Sequence, residues 1–242
     1  MNVWLILAVT FLLGTLVLGY FTWTYYREAR HLEDMLDRYL PLPLVNRIKS
    51  GDEQWFEEES ERRITALFAD IAGFTQFSER QNATTIAEVI RSILDELTDC
   101  IDEQGGVLDK YVGDALVAEF GILGENNSND PVNACLAAHV MQGKMYELKQ
   151  EWLGRNQPLI NIRIGVHTGD AAVGHMGSKR MSDFTAIGDT MNLAARLEKM
   201  NKYYDTNILI SLSTQKELDD RFVTRKLDRV VVKGRTDSTE IY

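Results

Sequence analysis

Two cysteines, Cys100 and Cys135, are all that this 242-residue chain contains. Both fall in helix-like segments, which argues against a disulfide framework and fits a reducing compartment and buried core positions. Positive charge is also short: 26 Lys and Arg against 36 Asp and Glu leave a formal net charge of -10. That balance argues against a general nucleic-acid binder, which carries a basic face, but is compatible with a local cationic pocket for a small anion. No internal repeat and no low-complexity tract breaks the chain. What is present, 45% hydrophobic and 26% charged, suits one globular domain with an appendage.

The appendage is N-terminal. Val3 to Tyr20, "VWLILAVTFLLGTLVLGY", carries no charge, and extension to Tyr26 reaches bilayer-spanning length. Trp4 marks one end, and Tyr20, Trp23, Tyr25 and Tyr26 mark the other, as an aromatic belt requires. A cleaved signal peptide would need a basic start and a small-residue cleavage site. No Lys or Arg precedes this run, and bulky aromatics follow it. A retained transmembrane helix over 1–26 is the expectation. Arg27, Arg30 and Arg38 then place the C-terminal bulk in the cytoplasm, giving a single-pass protein of the cell membrane.

Residues 27–62 read as a helical coupling segment and linker. Leu32, Met35, Leu36 and Tyr39 recur at helical spacing, and "LPLP" at 40–43 must bend or break that helix. Val45 and Ile48 start a second short amphipathic turn, and an acidic stretch runs from 51 to 61. From Arg63 the pattern changes to strand, helix, hairpin, helix, strand. A strand is expected over 64–71 and a helix over 77–104, stopped by Gly105-Gly106. A hairpin turns at Gly113-Asp114, a helix runs from Pro131 to about Trp152, and "INIRIGVHTG" forms the next strand. The fold class is therefore α+β: a ferredoxin-like βαββαβ palm with a C-terminal extension, its helices packed on one face of an antiparallel sheet.

Within that order two carboxylates occupy unusual places. Asp70 closes an apolar strand in "LFADIAGF", and Asp114 sits in the hairpin turn of "KYVGDALVAEF". Each alone has an ordinary reading, Asp70 as a helix cap and Asp114 as a turn residue. In this topology both lie at one sheet edge, where an aspartate pair can hold divalent cations against a phosphoryl group. "DIAGFT" adds a glycine turn before a helix, whose first amides can cradle phosphate oxygens.

Four blocks in order, "FADIAGFT", "LDKYVGDALVAEFG", "GVHTGDAAVG" and "FTAIGDTMNLAARLE", resemble the catalytic domain of class III nucleotidyl cyclases over about residues 63–242. The resemblance implies cyclisation of a nucleoside triphosphate to its 3′,5′-cyclic monophosphate, with release of pyrophosphate. It also implies two catalytic domains associated head to tail. Asp70, Ile71 and Asp114 would be the ligands of two Mg²⁺ or Mn²⁺ ions per active site, Ile71 having only a main-chain oxygen to offer. One ion would favour the ionised ribose 3′-oxygen, and the other would bind the β- and γ-phosphates. Asn192 and Arg196 match the catalytic pair that orients the ribose and meets the charge of the pentavalent phosphate. Gly73, Phe74 and Thr75 match the phosphate turn, and Lys233 in "VVVKGR" matches the lysine that grips the triphosphate.

Base choice falls to Lys110 and Thr185. A lysine ammonium only donates, which suits adenine N1, and a threonine hydroxyl can accept from the 6-amino group. Guanylyl cyclases of this family usually place glutamate and cysteine there. Thr185 departs from the aspartate of many animal adenylyl cyclases and matches a mostly bacterial subgroup. Because one chain carries both halves of the site, the resemblance implies a symmetric homodimer acting on ATP. A guanylate cyclase and a catalytically silent nucleotide-binding regulatory domain are the alternatives. Asp170 stands where some relatives have an arginine and is left unassigned. His167 and His175 belong to no ligand cluster and read as core or loop residues.

Overall fold

The computed structural model describes residues 3–51, 59–124, 129–152, 160–178, 180–231 and 238–242. The chain divides into two compact units, Met1–Asp52 and Glu53–Tyr242. In the first, α1 (Val3–Tyr39) is one continuous helix of 37 residues, so the apolar run and the first part of the coupling segment share one rod. Its stretch Ile6–Leu36 is long and apolar enough to cross a membrane. The prolines end it as expected. Pro41 caps α2 (Leu42–Lys49), and Pro43 lies in that helix's first turn, where a missing amide costs nothing.

The second unit is built on β1 (Ser60–Ala72), α3 (Phe74–Ser78), α4 (Ala83–Glu103), β2 (Val107–Val112), β3 (Ala115–Phe120), α5 (Asp130–Trp152) and β4 (Asn161–Ser178). It continues through β5 (Met181–Ile187), α6 (Asp189–Tyr204), β6 (Ile208–Ile210), α7 (Leu212–Gln215), β7 (Asp228–Val231) and β8 (Ser238–Ile241). The main sheet runs β2-β3-β1-β4-β5, with β6 added parallel to β4, and β7 and β8 form a separate ribbon. The first four strands are the palm order that the alternation predicts. Three boundaries differ from that reading. β1 begins at Ser60, β4 continues to Ser178, and the expected helix over 77–104 is two helices. The Asn82 side chain accepts the Thr85 amide at 2.9 Å and starts α4 afresh, so a cap interrupts what apolar spacing alone would join.

Strand alternation divides the sheet between two cores. Leu67, Ala69 and Ile71 of β1 pack with Val89, Ile93 and Leu97 of α4 and with Met141 and Met145 of α5. The palm helices thus share one face, as expected. Ile64, Ala66 and Phe68 point the other way, into a second core with Met191 and Ala194 of α6 and Phe184 and Ala186 of β5. Contact between α6 and the sheet depends on Gly165 of β4. A Cβ there would lie 2.2 Å from the Glu198 amide nitrogen and 2.3 Å from the Ala194 carbonyl oxygen. Asn201 secures the same contact by donating to the Ile164 carbonyl at 2.9 Å.

Candidate active site

By alternation Asp70 shares the face of Ile64, Ala66 and Phe68, two residues before β1 ends. Register sets it opposite Ala115 of β3 and Arg163 of β4. Asp114 directly precedes Ala115, in a turn that Gly113 makes possible at φ 67°. The two predicted aspartates therefore meet at one end of the sheet. Burial raises the Asp70 carboxyl above its ordinary range, and the charge of Asp114 raises it further, while Arg163 pulls it down. Arg163 Nη2 lies 3.4 Å from Asp70 Oδ2, and its Nε lies 3.8 Å from Glu198 Oε1. Glu198 is buried and its carboxyl is pushed up to about 7, first by burial and then by Asp70. A shift of that size is a bias of roughly 3 kcal/mol toward the neutral form. Val112, Ala115, Ala195, Lys199 and Lys202 complete a cleft around Asp70.

This donor set fits a hard divalent cation. Two adjacent carboxylates raise each other's cost of ionisation, and a cation between them removes it. Among the described residues no cluster of three or more His, Cys, Asp or Glu side chains could hold a metal by itself. Two protein carboxylates with substrate phosphates completing the shell is the arrangement Mg²⁺ favours. Ile71 is buried in the first core, leaving main-chain oxygen as its contribution.

A second cluster forms where the sheet order alone would not put one. β2 and β5 lie at opposite ends of the strand path, yet their side chains touch. Thr185 Oγ1 donates to Asp109 Oδ2 at 2.8 Å, and Lys110 Nζ lies 3.5 Å from Asp109 Oδ1 and 3.5 Å from Asp183 Oδ2. Lys110 and Thr185, predicted from different blocks, thus share one carboxylate. Beneath them Glu119 is fully buried, with Oε1 accepting the Ala186 amide at 3.1 Å and Oε2 unpartnered among the described residues. Burial pushes Glu119 up to about 8, and the charge of Asp109 adds to the shift.

Asn192 and Arg196 stand one turn apart on α6, with Leu193, Ala194 and Leu197 buried behind them. Asn192 is exposed, Arg196 is half-buried, and neither lines the Asp70 cleft of its own chain. Gly73 takes φ 78° at the start of the five-residue α3, with Gly73 and Thr75 exposed and Phe74 packed against the first core. Lys233 lies outside the described residues. His167 is buried with Nδ1 2.7 Å from Ser211 Oγ, and the half-buried His175 ring packs on Phe184 at 5.4 Å. Asp170 is exposed, 3.9 Å from Arg63.

Four residues escaped the sequence reading: Arg163, Glu198, Asp109 and Glu119. The usable signal was charge inside apolar stretches, "NIRIGV" and "ALVAEF". What each charge faces depends on tertiary contacts that no spacing reports.

The sequence matches the family model for the adenylate and guanylate cyclase catalytic domain over residues 56–242. The chain belongs to this family. It is 33% identical over 223 residues to an adenylate cyclase of Anabaena cylindrica, an alignment covering 90% of this chain and 44% of that one. It thus spans less than half the length of that relative, and 30% of adenylate cyclase 1 of Rhizobium meliloti, to which it is 30% identical over 216 residues, 84% of its own length. Among solved structures, the adenylyl cyclase CyaB from P. aeruginosa matches with a TM-score of 0.69 at 31% identity, over 76% of this chain and 94% of that one.

Proposed function

We propose that this chain is a membrane-anchored adenylate cyclase that converts ATP to 3′,5′-cyclic AMP and pyrophosphate at sites shared between two copies. The observation that carries the ATP assignment is the meeting of Lys110 and Thr185 around Asp109. A donor and a hydroxyl side by side can address the N1 and 6-amino positions of adenine together. The adenylate cyclases among its relatives support the same reading.

In the proposed mechanism Lys110 and Thr185 hold the base, and Asn192 orients the ribose so that its 3′-oxygen lies in line with the α-phosphorus. Arg196 donates charge-assisted hydrogen bonds to the α-phosphate oxygens as negative charge accumulates there. Lys233 and the turn Gly73-Phe74-Thr75 steady the departing pyrophosphate. Divalent cations held by Asp70, Ile71 and Asp114 would supply Lewis-acid activation of the 3′-hydroxyl and neutralise the triphosphate. Neither Asn192 nor Arg196 lines the Asp70 cleft of its own chain, which favours a site completed by a second copy in a head-to-tail homodimer. The apolar stretch of α1 supplies the anchor, with the catalytic unit on the cytoplasmic side.

Purified chain given ATP or GTP with Mg²⁺ or Mn²⁺ tests the assignment. The expected result is cyclic AMP from ATP, with kcat/KM at least about ten-fold above that for GTP, the size of one well-placed polar discrimination. Preference for GTP would overturn the base assignment. Tight nucleotide binding without product would favour the silent regulatory domain.

A further inference from the structure

We propose that Asp109 is the positioning residue that sets base specificity, its carboxylate fixing the Thr185 hydroxyl as an acceptor toward the base while holding Lys110 beside it as the donor. This inference rests on the ATP reading above. The chemistry follows from counting hydrogens. A threonine hydroxyl has one hydrogen to give and lone pairs to receive, so by itself it serves a 6-amino or a 6-oxo purine equally well. An ionised carboxylate can only accept. With the Thr185 hydrogen committed to Asp109 Oδ2 at 2.8 Å, what remains on Thr185 is acceptor capacity. The other oxygen, Oδ1, faces the Lys110 ammonium at 3.5 Å. One carboxylate thereby turns an ambiguous pair into an acceptor and a donor, the complement of a 6-aminopurine and the wrong pattern for a 6-oxopurine.

The backbone is built to allow this. Consecutive strand residues normally point to opposite faces, so Asp109 and Lys110 could not both reach β5. Pairing of β2 with β3 shifts register between Leu108 and Lys110, leaving Asp109 as the extra residue of a bulge. A bulge re-aims a side chain, and here it sends Asp109 to Thr185 while Lys110 reaches Asp183. The Asp109 side chain is 3% exposed, so water does not compete for its oxygens. Two carboxyls lie near each other in this interior; burial raises both, and pushes Glu119 up to about 8. The hydrogen bond from Thr185 and the charge of Lys110 pull Asp109 part of the way back toward the ionised, accepting state.

The test compares wild type, Asp109→Asn, Thr185→Val and the double variant, reading the ratio of kcat/KM for ATP over GTP. Dissociation constants for 3′-deoxy-ATP and 3′-deoxy-GTP, which lack the attacking hydroxyl, read base selection without turnover. An amide can donate to Thr185, so Asp109→Asn is expected to lower the ATP/GTP ratio about ten-fold, while in the Thr185→Val background the same change moves it less than about two-fold. Asp109→Ser, smaller than the site, is the second variant if the amide version does not fold, with the same expectation. A folded Asp109 variant whose ratio is unchanged, or changes equally without the Thr185 hydroxyl, overturns the proposal. A wild type that prefers GTP overturns the ATP reading instead, and this inference with it.

Discussion

Asp70→Asn lowers cyclic nucleotide formation on the order of 10³-fold while the protein stays folded, because the amide keeps the shape of the carboxylate and loses its charge. The size follows from what the charge does. Asp70 and Asp114 are the carboxylate pair at the open end of the sheet, and Arg163 already offsets part of the Asp70 charge from one side. In the proposed site, removing one of two anionic ligands would leave Asp114 alone against a dication that gives up water reluctantly. The half-saturating Mg²⁺ or Mn²⁺ concentration should rise well over ten-fold in the same variant, as read from metal titrations of activity and of thermal stability. Activity within ten-fold of wild type at ordinary metal concentration would remove Asp70 from the metal site.

Arg196→Ala should be comparably severe but differently distributed. A guanidinium that meets charge developing on the α-phosphate acts mainly in the transition state, so kcat falls on the order of 10³-fold while KM moves less than about three-fold. Arg196 is half-buried on α6, and no ion pair is found for it among the described residues. Arg196→Lys keeps the charge without the planar fork and should recover only part of the loss. Steady-state kinetics with ATP decide this. A rise in KM as large as the fall in kcat would make Arg196 a ground-state binding residue.

The parts of this fold that were legible in the sequence are those set by local rules. "LPLP" had to end a helix, Gly113-Asp114 had to turn a hairpin, and a carboxylate closing the apolar run at Asp70 had to have a partner. The Asn82 cap was equally local, but Ile86 and Val89 extend an apolar spacing that conceals the break before them. Arg163 and Glu198 could not be paired from spacing, because their approach depends on α6 lying on the bare backbone of Gly165. Asp109 was hidden for a different reason. A bulge breaks the two-residue alternation that strand reading assumes, and the contact with Thr185 joins strands at opposite ends of the sheet order. Lys110 and Thr185 were found only because the family resemblance names their positions.

The most direct test of a site shared between two copies is mixing the two dead variants. Asp70→Asn and Arg196→Ala, carrying different tags and co-expressed, form mixed dimers in which one of two sites has every intact residue. Cyclic AMP production from ATP by such a mixture should return to about a quarter of wild type, since half of randomly assorted dimers are mixed. Tandem-tag-purified mixed dimers that remain as inactive as either variant alone would contradict the account.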